Sequence, residues 1–112
     1  MGVYVFTSLH LSLIKVGHYS RANAWSRVAH RGFHSCLCPR ELGGRVDLPD
    51  LELLYWFPDL TPKDEKRIHK LLADFAVIGE WFREDALTVI QHFNYVNVSC
   101  DRVAACATRR RL

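Results

Sequence analysis

Two short apolar runs near the N-terminus constrain this chain more than any other feature. Gly2-Val3-Tyr4-Val5-Phe6 and Leu13-Ile14-Lys15-Val16-Gly17 are rich in β-branched and aromatic residues and too short for helices of ordinary length. Thr7 to His10 lies between them and can turn, without the Asn-Gly pair that marks the strongest hairpin signal. The pattern predicts a β-hairpin. Strand alternation then puts Tyr4 and Phe6 on one face and Val3 and Val5 on the other. In the second run Leu13 and Lys15 share a face, opposite Ile14 and Val16. Each strand carries one polar group, Tyr4 or Lys15, close to where the strands pair. The plainer reading of these two is a tyrosine at a core edge and a surface lysine.

Further along, Ser20 can cap a helix starting near Arg21, with Ala22, Trp25, Val28 and Ala29 as its packing stripe. Asn23, Arg27 and Arg31 are four apart and line another stripe, and Gly32 stops the helix. Phe33 to Asp50 reads as a long loop with Pro39, Gly43-Gly44 and Pro49. Leu51 to Phe57 reads as a third strand. Leu51, Leu53, Tyr55 and Phe57 share one face, Leu54 and Trp56 the other, and the strand takes the buried middle of the sheet. Thr61 and Pro62 start a helix whose buried stripe is Ile68, Leu71, Leu72 and Phe75. Glu65 and His69 share a face with Ile68 and Leu72, and taken alone they read as a surface pair. After Gly79, Glu80-Trp81-Phe82 anchors a turn or lines a pocket. A last helix runs from about Glu84 to Val96, with Ala86, Leu87, Val89, Ile90 and Phe93 inward. The expected fold is α+β: a small three-stranded antiparallel sheet flanked by helices, in the order β-β-α-β-α-α. One domain spans residues 1–97, and a basic tail spans 98–112.

At 112 residues and 49% hydrophobic content the chain can build one core. No apolar run approaches the ~20 residues that span a bilayer. No basic stretch leads into a long apolar one, so no signal peptide is read, and a cytoplasmic location is expected. The net charge is only +3, but Arg outnumbers Lys and gathers at Arg21, Arg27, Arg31, Arg40 and Arg45 and again at Arg109-Arg110-Arg111. A guanidinium fork suits phosphate, so a polyanion is a candidate partner, against the plainer reading of a solvated basic surface. Without a secretory signal Cys36, Cys38, Cys100 and Cys106 read as reduced thiols, and Cys-x-Cys plus a distant Cys-x5-Cys is no standard zinc spacing even with His34 nearby.

The residues singled out so far resemble the GIY-YIG endonuclease superfamily. Gly2-Val3-Tyr4 stands where the first signature tripeptide would be, and Lys15-Val16-Gly17, eleven residues after Tyr4, where the second would be. Arg27 lies ten residues past Gly17, as the superfamily's arginine does. Glu65-Lys66-Arg67-Ile68-His69 is similar to the glutamate-bearing helix after the third strand. Gly79-Glu80-Trp81-Phe82 is similar to a phage and bacterial branch, which also includes a fungal meiotically up-regulated group and often has lysine for the second signature tyrosine.

The resemblance implies metal-dependent hydrolysis of DNA phosphodiesters, over roughly residues 2 to 95. Glu65 would be the carboxylate for Mg²⁺ or Mn²⁺, with waters and substrate phosphate completing the coordination. Arg27 would neutralise charge on the scissile phosphate, and Tyr4 would position or deprotonate the attacking water. Lys15 departs from the signature tyrosine: it can donate to phosphate but cannot accept while protonated. Tyr19, two residues past Gly17, is a partial substitute. His69 and Glu80 would contact the substrate or the groups around the metal. Arg31, Arg109, Arg110 and Arg111 would hold DNA, and a second module, a homodimer or a partner protein would supply specificity. Two other functions compete. One is a DNA-binding module of the same fold with weak or no catalysis. The other is a structural or regulatory protein in which Cys36, Cys38 and a tail cysteine bind zinc.

Overall fold

The structure is a computed structural model that describes residues 1–28, 32–34 and 37–93. Strands β1 (Gly2–Ser8) and β2 (Leu13–Tyr19) form the expected antiparallel hairpin, with Tyr4 opposite Gly17 and Phe6 opposite Lys15. The turn is Leu9–Ser12, later than the sequence suggests. Pairing of Thr7 with Ile14 keeps the strands going, and the Ser8 carbonyl accepts from the Ser12 N–H at 3.0 Å to close the loop.

The segment from Ser20 departs from expectation. In place of an α-helix there is one 3-10 turn, Ala24–Arg27, because the Asn23 side chain accepts from the Trp25 N–H at 2.9 Å and starts the turn late. Ala24, Trp25 and Val28 are buried while Ala22 is exposed. Within the expected loop, β3 (Phe33–His34) and β4 (Arg45–Val46) form a small antiparallel ribbon of their own. Strand β5 (Leu51–Pro58) pairs with the other side of β1, helix α1 (Pro62–Leu71) follows, and β6 (Ala76–Ile78) and β7 (Trp81–Arg83) make a hairpin before α2 (Leu87–Phe93).

The expected three-stranded β-β-α-β-α-α arrangement is therefore corrected. The main sheet has five strands, ordered β5-β1-β2-β7-β6 and antiparallel throughout, with two α-helices among the described residues. The miss has two causes: the helix after Ser20 shrinks to a 3-10 turn, and β7 adds to β2 through Leu13–Lys15. Strand β5 lies at an edge and not in the middle. Its alternation also breaks at a bulge opposite Val5 and Phe6. Leu51 and Leu53 join the Tyr4 and Phe6 face, whereas Tyr55 and Phe57 join the Val3 and Val5 face.

The sheet thus carries a core on each side. Phe33, Trp25 and Trp81 pack against Tyr4 and Phe6, with Phe33 and Phe6 ring centroids 5.5 Å apart. On the other side Ile68 of α1 and Leu72 just after it, with Ala86 and Ile90, cover Val3, Val5, Ile14 and Val16. Leu71, expected in that stripe, is exposed. Thr61 and Asp64 form a reciprocal capping box at the start of α1. Glu84–Ala86, expected as the first turn of the last helix, is a 3-10 turn leading into α2. Among the described residues no helix is long and apolar enough to cross a membrane. Arg31, Arg109, Arg110, Arg111, Cys36, Cys100, Cys106 and the boundary expected at residue 97 lie outside the described residues.

Candidate active site

The site forms where β2 outruns its neighbour. Strand β7 pairs with β2 only as far as Lys15. Beyond that point the edge of β2 is completed by other groups. The Val16 N–H donates to the Glu80 carbonyl at 3.0 Å, and the Val16 carbonyl accepts from His69 Nε2 at 2.8 Å. The His18 N–H donates to the Glu65 carboxylate. Glu65 and His69, one turn apart on α1, therefore both reach the same bare strand edge. The Phe82 ring, with its centroid 5.2 Å from that of His69, holds the imidazole in place.

Beside this edge lies a cleft of about 270 Å³, lined by Tyr4, Lys15, His18, Arg27, Glu80 and Trp81, with Leu37 and Pro39 completing the wall. The Tyr4 ring lies against Gly17, where a Cβ would sit 2.3 Å from the phenol oxygen. A glycine at that position is a steric requirement of the tyrosine opposite it. Burial first, and then the charge of Glu80, pushes the Tyr4 phenol well above its usual range, against the lowering effect of Arg27, which donates a hydrogen bond to it. Tyr4 is a neutral phenol at any ordinary pH. The Arg27 guanidinium also lies over the Tyr19 ring, 5.6 Å from its centroid.

Lys15 is 2% exposed and is not the surface lysine of the plainer reading. Its stem runs between aromatic rings, with Nζ 5.1 Å from the Phe33 centroid and 5.7 Å from that of Trp81. Its ammonium pairs with Glu80 Oε1 at 2.5 Å. Glu80 reaches it because Gly79, with φ +57°, turns the β6–β7 hairpin tightly. Glu65 stands within hydrogen-bond reach of Glu80, and burial, then the Glu80 charge, raises its carboxyl above the usual range, against His69 and the His18 N–H.

Tyr4, Lys15, Arg27, Glu65 and Glu80, picked from the sequence, thus come together. His69 stands at the strand edge, with its Nε2 taken up by backbone and not directed into the cleft. His18 and Trp81 were not picked as site residues. Alternation puts His18 with Ile14 and Val16, and only the end of the sheet brings it to the cleft wall. Cys38 is a buried core thiol, and burial pushes its pKa up, which makes it a poor thiolate ligand for zinc.

A divalent ion suits the adjacent Glu65 and Glu80, whose mutual repulsion it would relieve; one or two carboxylates with waters and phosphate are a normal Mg²⁺ set. Among the described residues no three His, Cys, Asp or Glu side chains gather as a ready-made metal set. No family model matches this chain, and neither a curated protein nor a solved structure matches it.

Proposed function

We propose that the chain is a metal-dependent endonuclease of the GIY-YIG type, hydrolysing DNA phosphodiesters in this cleft. One observation carries the reading: a neutral tyrosine, an arginine bonded to it and Glu80 line one small cleft, with Glu65 standing beside Glu80, the four coming from distant segments of the chain. The set is polarised. Arg27 and Tyr4 form an end that donates hydrogen bonds and suits a phosphate. Glu65 and Glu80 form an acidic end that suits a cation.

In this reading Glu65 and Glu80 hold Mg²⁺ or Mn²⁺, which when bound would polarise the phosphate and lower the pKa of a water. Tyr4 orients the attacking water and does not deprotonate it, because its own proton is held so firmly. The water oxygen bonds to phosphorus as the bond to the leaving sugar oxygen breaks, and the proton that the water loses passes through solvent to that oxygen, which leaves as an alcohol. Arg27 neutralises the charge that develops on the phosphoryl oxygens. Lys15 holds Glu80 in position, so the lysine in place of a second signature tyrosine works through that carboxylate. His69 fixes the strand edge that carries Gly17 and His18.

The Lys15–Glu80 pair favours a second reading, in which the ammonium already neutralises the carboxylate and the cleft binds DNA phosphate without cutting. Incubating supercoiled plasmid with the protein and Mg²⁺ or Mn²⁺ separates the two. We expect nicking that Glu65→Ala abolishes with the fold retained, and that Arg27→Lys lowers by about a hundredfold or more, because charge remains but the planar fork is lost. Unchanged cutting by Glu65→Ala overturns the assignment, and absence of cutting by the wild type favours the binding module.

A further inference from the structure

We infer that His18 is a substrate-contacting residue, whose Nε2–H donates to a non-bridging oxygen of the same phosphate that Arg27 holds. The inference rests on the proposed reading of the cleft as a phosphodiester site. His18 lines the cleft together with Arg27. Its backbone N–H is already spent on Glu65. Its side-chain Nε2 is buried and without a hydrogen-bond partner among the described residues, and so is Arg27 Nε. A buried nitrogen with no partner is costly, and such groups in folded proteins are rare. Both belong to residues that line one cleft, which points to a ligand that serves both.

The chemistry of that ligand follows from the donors. Arg27 Nε–H can only donate, and His18 can present a donor at Nε2. Tyr4, kept neutral by burial, contributes an O–H. A ligand rich in acceptors and carrying negative charge satisfies all three, and a phosphoryl oxygen does so. Among the described residues two other buried nitrogens do not share the arrangement. Trp25 Nε1 belongs to the aromatic core, and His34 Nε2 lies 3.3 Å from an Asp47 carboxylate oxygen. The ligand's charge also explains the polarity of the cleft. The donor end takes the phosphate, and the Glu65–Glu80 end would hold a cation.

The test compares His18→Gln, His18→Asn and His18→Phe. The Gln amide nitrogen stands near the position of Nε2, that of Asn near Nδ1, and Phe supplies the ring alone. Each is assayed for Mn²⁺-dependent nicking kinetics and, in EDTA, for affinity toward a short fluorescent duplex, with inorganic phosphate as competitor. A hydrogen bond to a charged group contributes about 1.5–3 kcal/mol, so we expect His18→Phe and His18→Asn to raise KM about tenfold or more with little change in kcat. His18→Gln should retain most of the wild-type KM, and phosphate should compete with the duplex for the wild type but poorly for His18→Phe. Wild-type KM in both His18→Phe and His18→Asn overturns the inference and leaves the nuclease reading intact. A wild type that never cuts, with duplex affinity in EDTA still lost in His18→Phe and kept in His18→Gln, overturns the nuclease reading and supports the contact. Equal affinity across all variants of a non-cutting protein overturns both. If His18→Phe does not fold, the Gln and Asn pair decides the outcome.

Discussion

Gly17 shows how one residue governs the site. A Cβ there would overlap the Tyr4 hydroxyl and ring carbon, so Gly17→Ala must displace the tyrosine or the strand. Overpacking of this kind costs about 1–3 kcal/mol, and denaturant unfolding should show a loss of that size. In a Tyr4→Ala background the same substitution should cost much less, because contacting residues are not additive. Glu65 gives a second test. Its folded pKa is raised, so the folded state binds the proton more tightly than the unfolded chain does. Its contribution to stability therefore falls as pH rises from the unfolded carboxyl range through the raised value. In chelator, Glu65→Gln should be more stable than wild type at neutral pH, and the gap should close as pH falls toward the ordinary glutamate range. A gap that widens on acidification would contradict a raised Glu65. Tyr4 and Gly17 were legible in the sequence as members of the two predicted strands. The contact between them, a ring lying on a bare backbone, was not.

At the scale of elements, α1 was the most legible. Thr61, Pro62 and Asp64 encode its start locally, and the capping box forms with the Thr61 N–H donating to Asp64 Oδ2 at 2.8 Å. Thr61→Ala should lower stability by about 1 kcal/mol in denaturant unfolding. It should also loosen the position of Glu65, which rides on the first turn of the helix. Strand β5 was legible as a strand but not as an edge. Its residues are apolar on both faces because a bulge makes Leu51 and Leu53 serve one core and Tyr55 and Phe57 the other. An unbroken apolar strand looks the same in sequence whether two sheet neighbours bury it or one bulge splits it. The segment around Arg27 failed for the opposite reason. Its three- and four-residue spacing suits an α-helix, but the Asn23 side chain offers the backbone a local alternative, and a 3-10 turn results.

Over the whole molecule, the cleft needs groups from β1, β2, the Asn23-capped turn, α1 and the β6–β7 hairpin. Loss of packing on either face of the sheet should therefore reach it. The proposed partner also acts at this scale. Arg109, Arg110 and Arg111 are expected to add phosphate contacts, each steepening log affinity against log salt by about 0.9 on duplex DNA. Deleting residues 108–112 should flatten that slope and weaken duplex binding at moderate salt, and an unaltered slope would show that these arginines do not touch the backbone.

The sequence by itself determined the hairpin of β1 and β2, the cap of α1 and the burial of Ile68 and Leu72. All of these depend on neighbours within a few positions: alternation, capping and steric demand. The tertiary structure alone decided that Lys15 is buried and paired with Glu80, that Glu65 and His69 complete an exposed strand edge, and that His18 reaches the cleft. Each of these depends on where β7 stops pairing with β2 and on contacts as much as 65 residues apart along the chain. Spacing along the chain carries no trace of such contacts, because they arise only when the β6–β7 hairpin and α1 dock against β2.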